Sequence, residues 1–197
     1  MATGVKATKF VSEPVRLSFV NVWEPRQNDD GKDTYGVVLM IKKDDKKCIS
    51  IINRAYKEAQ ADAMQKFNGK LPHGFKAAIR DGDKEYDLEK YPEYAGHFII
   101  GANAYTKPGV LDENGNKMID HDELYSGCYA RVSCNFYVYG DKPGSKSKGI
   151  ACGLNNIMKT GDGEPFGGRS NAESDFAEFI QPGGGFGAGG DDDDPTW

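Results

Sequence analysis

The sequence predicts a mainly β chain with one substantial helix, an α+β arrangement: a five-stranded OB-like barrel followed by a flexible acidic C-terminal tail. Three observations predict it. Five stretches alternate apolar and polar residues with period two. One long stretch carries apolar residues at helical spacing. After Lys159 the composition turns to glycine and acid. Five strands with one helix suit a small closed barrel, and an OB-fold is the leading form because it binds polymers across its outer face.

The first strand is Val15 to Val20, and Arg26 to Asp33 reads as a polar turn. The second is Thr34 to Lys42, with Tyr35, Val37, Leu39 and Ile41 on one face. The helix follows, about Asp45 to Phe67. Cys48, Ile52, Ala55, Tyr56, Ala59, Ala63 and Phe67 form its buried stripe, Asp44 or Asp45 caps its start, and Asn68-Gly69 ends it. Residues 70 to 96 are rich in Gly, Pro, Asp and Tyr and read as a long loop region. His97 to Lys107 is the third strand, with Phe98, Ile100, Ala102 and Ala104 inward. Asp112 to Asn116 is a hairpin turn in which Asn-Gly supplies positive φ. Gly127 to Tyr139 and Gly149 to Lys159 are the last two strands, joined by the basic loop Pro143 to Lys148. The domain is expected to span residues 1–170. A capping box at Ser170 to Glu173 opens a short helix over 171–181, and 182–197 form a glycine-rich linker and acidic tail.

Charge divides the same way. The chain of 197 residues has a formal net charge of −5. From Asn171 onward there are seven acids and no Lys or Arg, leaving 23 acids and 25 bases in the first 170 residues. The tail is thus −7 and the body +2, an asymmetry that suits a body meeting a polyanion. No apolar run approaches the roughly 20 residues of a membrane span, and Met1 to Lys9 lacks the apolar core of a secretion signal. The four cysteines, Cys48, Cys128, Cys134 and Cys152, form no Cys-x-x-Cys pair, so buried reduced thiols in a cytoplasm are expected, without a zinc site.

The candidate chemistry lies on the strand from Cys128 to Tyr139. Its even positions, Cys128 to Val138, are apolar and face a core. Its odd positions are Tyr129, Arg131, Ser133, Asn135, Tyr137 and Tyr139, aromatics mixed with a cation and polar groups. Such a face can stack any base, each contributing about 1–3 kcal/mol; tyrosines that only pack under loops would read the same way. Tyr105 and Lys107 extend this face from the third strand. Arg16, Lys42, Lys43, Lys142, Lys146 and Lys148 are candidates for a phosphate path, although each lysine taken singly reads as a solvated surface charge.

Enzymatic readings find less support. There is no phosphate-binding Gly-x-x-x-x-Gly-Lys loop and no His-Glu-x-x-His. Asp112 to Glu123 resembles an EF-hand loop, with Ile119 in the apolar place, but Lys117 stands where that loop needs glycine. Asp81, Asp83, Asp120 and Asp122 are the acids a metal-dependent nuclease would use, and a protein-only scaffold or adaptor is the other alternative. No cofactor and no metal is expected. The tail, Asp191, Asp192, Asp193, Asp194 and terminal Trp197 on a glycine tether, suits basic pockets on partner proteins or the body's own groove.

Several stretches resemble a family of single-stranded-DNA-binding proteins from tailed bacteriophages. They are Arg80 to Asp83, Tyr91 to Gly96, Lys107 to Val110, Tyr125 to Tyr129, Lys148 to Asn156, Gly161 to Pro165 and Gly167 to Arg169. The resemblance covers nearly the whole body in order. It implies an OB-fold with an acidic tail, sequence-independent binding of single strands during phage DNA replication and recombination, and a tail that contacts replication or recombination proteins. It implies no enzymatic activity, no membrane partner and a place in the cytoplasm of a bacterial host. One departure from ordinary OB-folds is visible: the main helix precedes the third strand rather than following it.

Overall fold

Alternation of apolar and polar residues builds the sheet that carries the core. The computed structural model describes residues 7–28 and 31–166. The elements run β1 (Lys9–Val11), β2 (Val15–Gln27), β3 (Asp33–Lys42), α1 (Lys46–Lys66), β4 (Ile79–Asp81), α2 (Gly82–Glu85), β5 (His97–Ala104), β6 (Gly109–Leu111), β7 (Tyr129–Tyr139) and β8 (Gly149–Gly161). The expected helix 171–181 and tail 182–197 lie outside the described residues.

Five strands close into a ring. β2 pairs antiparallel with β3, β3 with β5, and β7 with both β2 and β8, while β8 runs parallel to β5. Counting only ring strands in chain order, the circuit is 1-2-3-5-4-1, the Greek-key order of an OB-type fold. The helix does precede the third ring strand. Of the predicted inward rows, Val37, Leu39, Ile41, Ile100, Ala102, Val132 and Phe136 are buried together and Leu17 and Cys152 join them, while Tyr35, Phe98 and Ala104 are half-buried. On β7 every even position from Ala130 to Val138 is buried and every odd position from Tyr129 to Tyr139 is not.

Helix α1 seals one end of the ring. The Asp45 carboxylate accepts the Cys48 backbone N–H as an N-cap, and Phe67 ends the helix, so the predicted boundaries hold. Cys48, Ile52, Ala55, Ala59 and Ala63 form its buried stripe, with Tyr56 edge-on to Phe136. All four cysteines are free and buried. Burial pushes the Cys48 thiol up to about 11 and raises Cys128 as well, so both stay protonated and unreactive at neutral pH.

Three expectations need correction. The first strand does not stop at Val20: β2 continues to Gln27 through a register shift between Ser18 and Asn21, where Phe19 takes φ 46°. A bulge interrupts the alternation, so periodicity alone ends the strand too early. The third strand ends at Ala104 rather than Lys107, because the chain bends out of the ladder at residues 105–106. Finally, residues 70–96 are not one loop. They contain β4, α2 and a 3₁₀ turn over Pro92–Tyr94, all too short for periodicity to register.

That segment is held by charge. Lys43 at the end of β3 contacts Asp81 at 2.5 Å and Asp83 at 2.6 Å. Asp83 also accepts the Gly96 N–H. Gly82 sits between them with no room for a side chain, because a Cβ there would meet the Tyr94 carbonyl at 2.2 Å. The Arg80-Asp81-Gly82-Asp83 stretch is therefore a staple that brings Tyr86, Tyr91 and Tyr94 over Val38, Met40 and Ile99 on the outer face of the sheet.

Candidate nucleic-acid interface

The outer face of the ring has a low floor. Gly36 on β3 pairs with Asn103 on β5, Asn103 with Gly153 on β8, and Gly153 with Asn135 on β7. Glycine and asparagine thus alternate across four strands, each amide lying over a neighbouring glycine. A Cβ at Gly36 would come within 2.5 Å of the Asn103 Oδ1, and one at Gly153 within 3.1 Å of the Asn135 Oδ1. Glycine inside a strand weakens it and marks a close approach of other groups.

Above this floor is an open groove of about 780 Å³. Tyr105 and Tyr137 stand in it, 67% and 45% exposed. Arg26 and Gln27 at the far end of β2, with Asn28, close the third side. Burial raises the Tyr137 phenol, and the nearby Tyr105 phenol adds to this, so Tyr137 stays neutral at physiological pH and offers no charge against a phosphate. Exposed aromatic faces, amide hydrogen-bonding groups and one guanidinium are groups that can stack bases, bond their edges and neutralise phosphate.

The other predicted site residues are dispersed. Tyr139 lies beside Tyr137, its hydroxyl close to Gly149. The Lys107 ammonium sits 5.4 Å over the Trp23 ring, on whose face His121 stacks at 4.0 Å. Lys148 sits 5.9 Å over Phe67 near the end of α1, and Lys146 is exposed in the loop before it. Tyr129 and Arg131 belong to the opposite end of β7. Eight residues separate Tyr129 from Tyr137, roughly 27 Å along a strand. Tyr129 pairs with Gly161, and Gly163 lies against its ring. Arg131 donates to the Glu13 carboxylate at 3.1 Å and to the Ser12 carbonyl, tying β7 to the β1–β2 turn. Lys47 and Arg131 together hold the Glu13 carboxyl below its ordinary range.

Of the phosphate-path candidates, Arg16 donates to the Gly127 and Glu164 carbonyls and covers Phe166, while Lys43 serves Asp81 and Asp83. Lys42 and Lys142 are exposed. Arg26, Gln27 and Gly153 escaped the sequence reading. Asn103 stands on the outer row of the third strand with Tyr105, but outward parity alone does not single it out.

Asp81, Asp83, Asp112 and Asp120 hold parts of the chain: Lys43 for the first two, and local backbone N–H groups for the others. Asp112 accepts the N–H groups of Asn114 and Asn116 within its own turn. Ile119, which an EF-hand would bury, is 89% exposed. Among the described residues no group of three or more His, Cys, Asp or Glu comes together as a metal site.

Comparison with known proteins agrees with this architecture. The chain is 29% identical over 163 residues to protein p50 of Acyrthosiphon pisum secondary endosymbiont phage 1, covering 78% of this chain and 84% of that protein. Its fold matches the single-stranded DNA-binding protein from bacteriophage Enc34 in complex with ssDNA. The TM-score there is 0.68 at 24% identity, over 82% of this chain and 91% of the other. It also matches gp2.5, a single-stranded DNA-binding protein encoded by bacteriophage T7, with TM-score 0.58 at 14% identity, over 85% and 99% of the two chains. Finally, the model of the family described as Enterobacter phage Enc34, ssDNA-binding protein, matches residues 8–184, nearly the whole chain, and the chain belongs to that family.

Proposed function

We propose that this chain binds single-stranded DNA without sequence preference, through the groove between Tyr105 and Tyr137, and protects it during phage DNA replication and recombination. The observation that carries this is the pair of exposed tyrosines above the glycine and asparagine floor. Stacking on them needs open base faces, which a duplex does not offer, and accepts any base. Family membership supports the same reading. The chain acts by binding, in the cytoplasm of the bacterial host, and its residues supply no chemistry to the strand.

The acidic tail serves recruitment. Four aspartates and Trp197 present charge and an apolar anchor to basic pockets on replication or recombination proteins. Fluorescence anisotropy with labelled single-stranded DNA, the matching duplex and RNA of the same sequence tests the main proposal. Tight binding of the single strand with much weaker binding of the duplex is expected, and equal affinity for both would overturn it.

A further inference from the structure

Phe19 is held in a conformation that its side chain disfavours. Its φ of 46° lies in the left-handed region, shared among the described non-glycine residues only by Asn68. Asparagine tolerates that region, whereas a bulky residue there is strained. The strain displays rather than buries the ring: Phe19 is 44% exposed, the one exposed phenylalanine among the described residues. It meets Tyr91 edge-on at 6.1 Å. Tyr91 in turn stacks on buried Tyr94 at 5.3 Å, and the Lys90 ammonium lies 5.4 Å over its ring. An exposed phenylalanine beside a half-buried tyrosine is thus braced from beneath and flanked by a cation.

Between the groove and this pair the outer face carries a glycine, Gly101. Tyr91 packs in the outer cluster that includes Val38, and Val38 pairs with Gly101 on β5, the outward neighbour of Asn103. A Cβ at Gly101 would have nothing within 4 Å, so no local packing explains a glycine in the middle of that strand.

We propose that Phe19 and Tyr91 form a second stacking station, and that the bound strand crosses the outer face from Tyr137 over Gly101 to Phe19. This rests on the reading of the groove as a single-stranded-DNA site. From β7 to β2 through β8, β5 and β3 is four inter-strand steps, about 19 Å. About six nucleotides at a stacked spacing of 3.4 Å cover that length. The groove end alone holds the first of them; the station is reached only by a longer strand.

The test compares oligothymidines of about four and about twelve nucleotides, the range of site sizes for one OB fold. The full-length protein is used as wild type, Phe19→Gly, Phe19→Ala, Gly101→Val and Tyr137→Ala. Phe19→Gly removes the ring and the backbone strain together, so its melting temperature should equal or exceed wild type. Its affinity for the twelve-mer should fall about tenfold, the loss of one stacked base. Its affinity for the four-mer should change less than about twofold. Gly101→Val should show the same length dependence, because a β-branched residue suits the strand but obstructs the path. Wild-type affinity of both Phe19 variants for the twelve-mer would overturn the proposal, and so would equal losses on both lengths. Wild-type protein that binds neither oligonucleotide would instead overturn the groove reading, and with it the station.

Discussion

Asn103 lies so close against Gly36 that a side chain at residue 36 fits only if the Asn103 amide swings away: a Cβ would stand 2.5 Å from the Asn103 Oδ1. The two pair directly, β3 to β5, and this contact sets the height of the groove floor. Gly36→Ala should therefore displace the Asn103 amide into the groove. The displaced group is the free end of an exposed side chain, so the melting temperature should change little, while DNA affinity should fall. Adding Asn103→Ala should leave the melting temperature near wild type and should not restore the affinity. Thermal melting and anisotropy titration of the two single variants and the double variant check this as a cycle.

The groove tyrosines should separate from the buried end of the same strand. Tyr105→Ala and Tyr137→Ala should each weaken single-stranded DNA binding by about 1–3 kcal/mol. Tyr105→Ala should melt like wild type, since two thirds of that side chain is already in solvent. Arg131→Ala should behave oppositely, lowering the melting temperature through the lost Glu13 and Ser12 contacts while affinity stays near wild type.

Arg26 is the groove's cation. Replacing it with Ala should weaken binding about equally for all sequences, and the log–log salt dependence should become shallower by about 0.7, the share of one phosphate. An unchanged salt slope would remove Arg26 from the interface.

The Lys43 staple predicts a pH dependence. Lys43 depresses the carboxyls of Asp81 and Asp83 below their ordinary value of 3.8. Depressed folded-state values mean that the stabilisation is present above pH 3.8 and is lost as pH falls through the lower folded values. Lys43 itself is raised above its ordinary 10.5, so the same contacts are also lost in strong alkali, as pH rises through its folded value. Lys43→Met should therefore melt below wild type at pH 7, and the two curves should converge below about pH 4. Melting measured across pH 3 to 8 checks both the gap and its closure.

The tail prediction concerns competition. Deleting Asp191 to Trp197 should tighten DNA binding at low salt, because four tethered aspartates compete with phosphate for the same cations. The gain should shrink at physiological salt, where the Debye length is about 8 Å. Trp197→Ala should harm binding to replication proteins more than binding to DNA.

Strand alternation made the inward face of β7 legible residue by residue, and Asp45 with Asn68-Gly69 marked both ends of α1. The outer face was legible in kind but not in extent. Reading it along one strand joined Tyr129, Arg131 and Tyr137, whereas the groove runs across strands and gathers Arg26 from β2, Asn103 and Tyr105 from β5 and its end, and Asn135 and Tyr137 from β7. Which residues of distant strands stand abreast depends on register, and register depends on bulges such as the one at Phe19. The staple was visible as a motif, yet its partner Lys43 lies about 40 positions earlier in the chain, so charge pattern alone read that lysine as free for phosphate.

The ring closes through β2 and β7, where Val15 meets Ala130 and Arg16 meets Tyr129. More than a hundred residues must leave the ribosome before that seam can form, and the parallel partner of β5 emerges later still. Until then β2 and β5 each carry an unsatisfied edge, in a chain whose glycine-floored strands have weak intrinsic preference for pairing. Sequence-distant closure of this kind is slow. Nascent or refolding chains should therefore pass through a protease-sensitive interval that ends only when β8 is in place. Once released, the folded chain has each ring edge matched to another strand, a built-in defence against edge-to-edge aggregation.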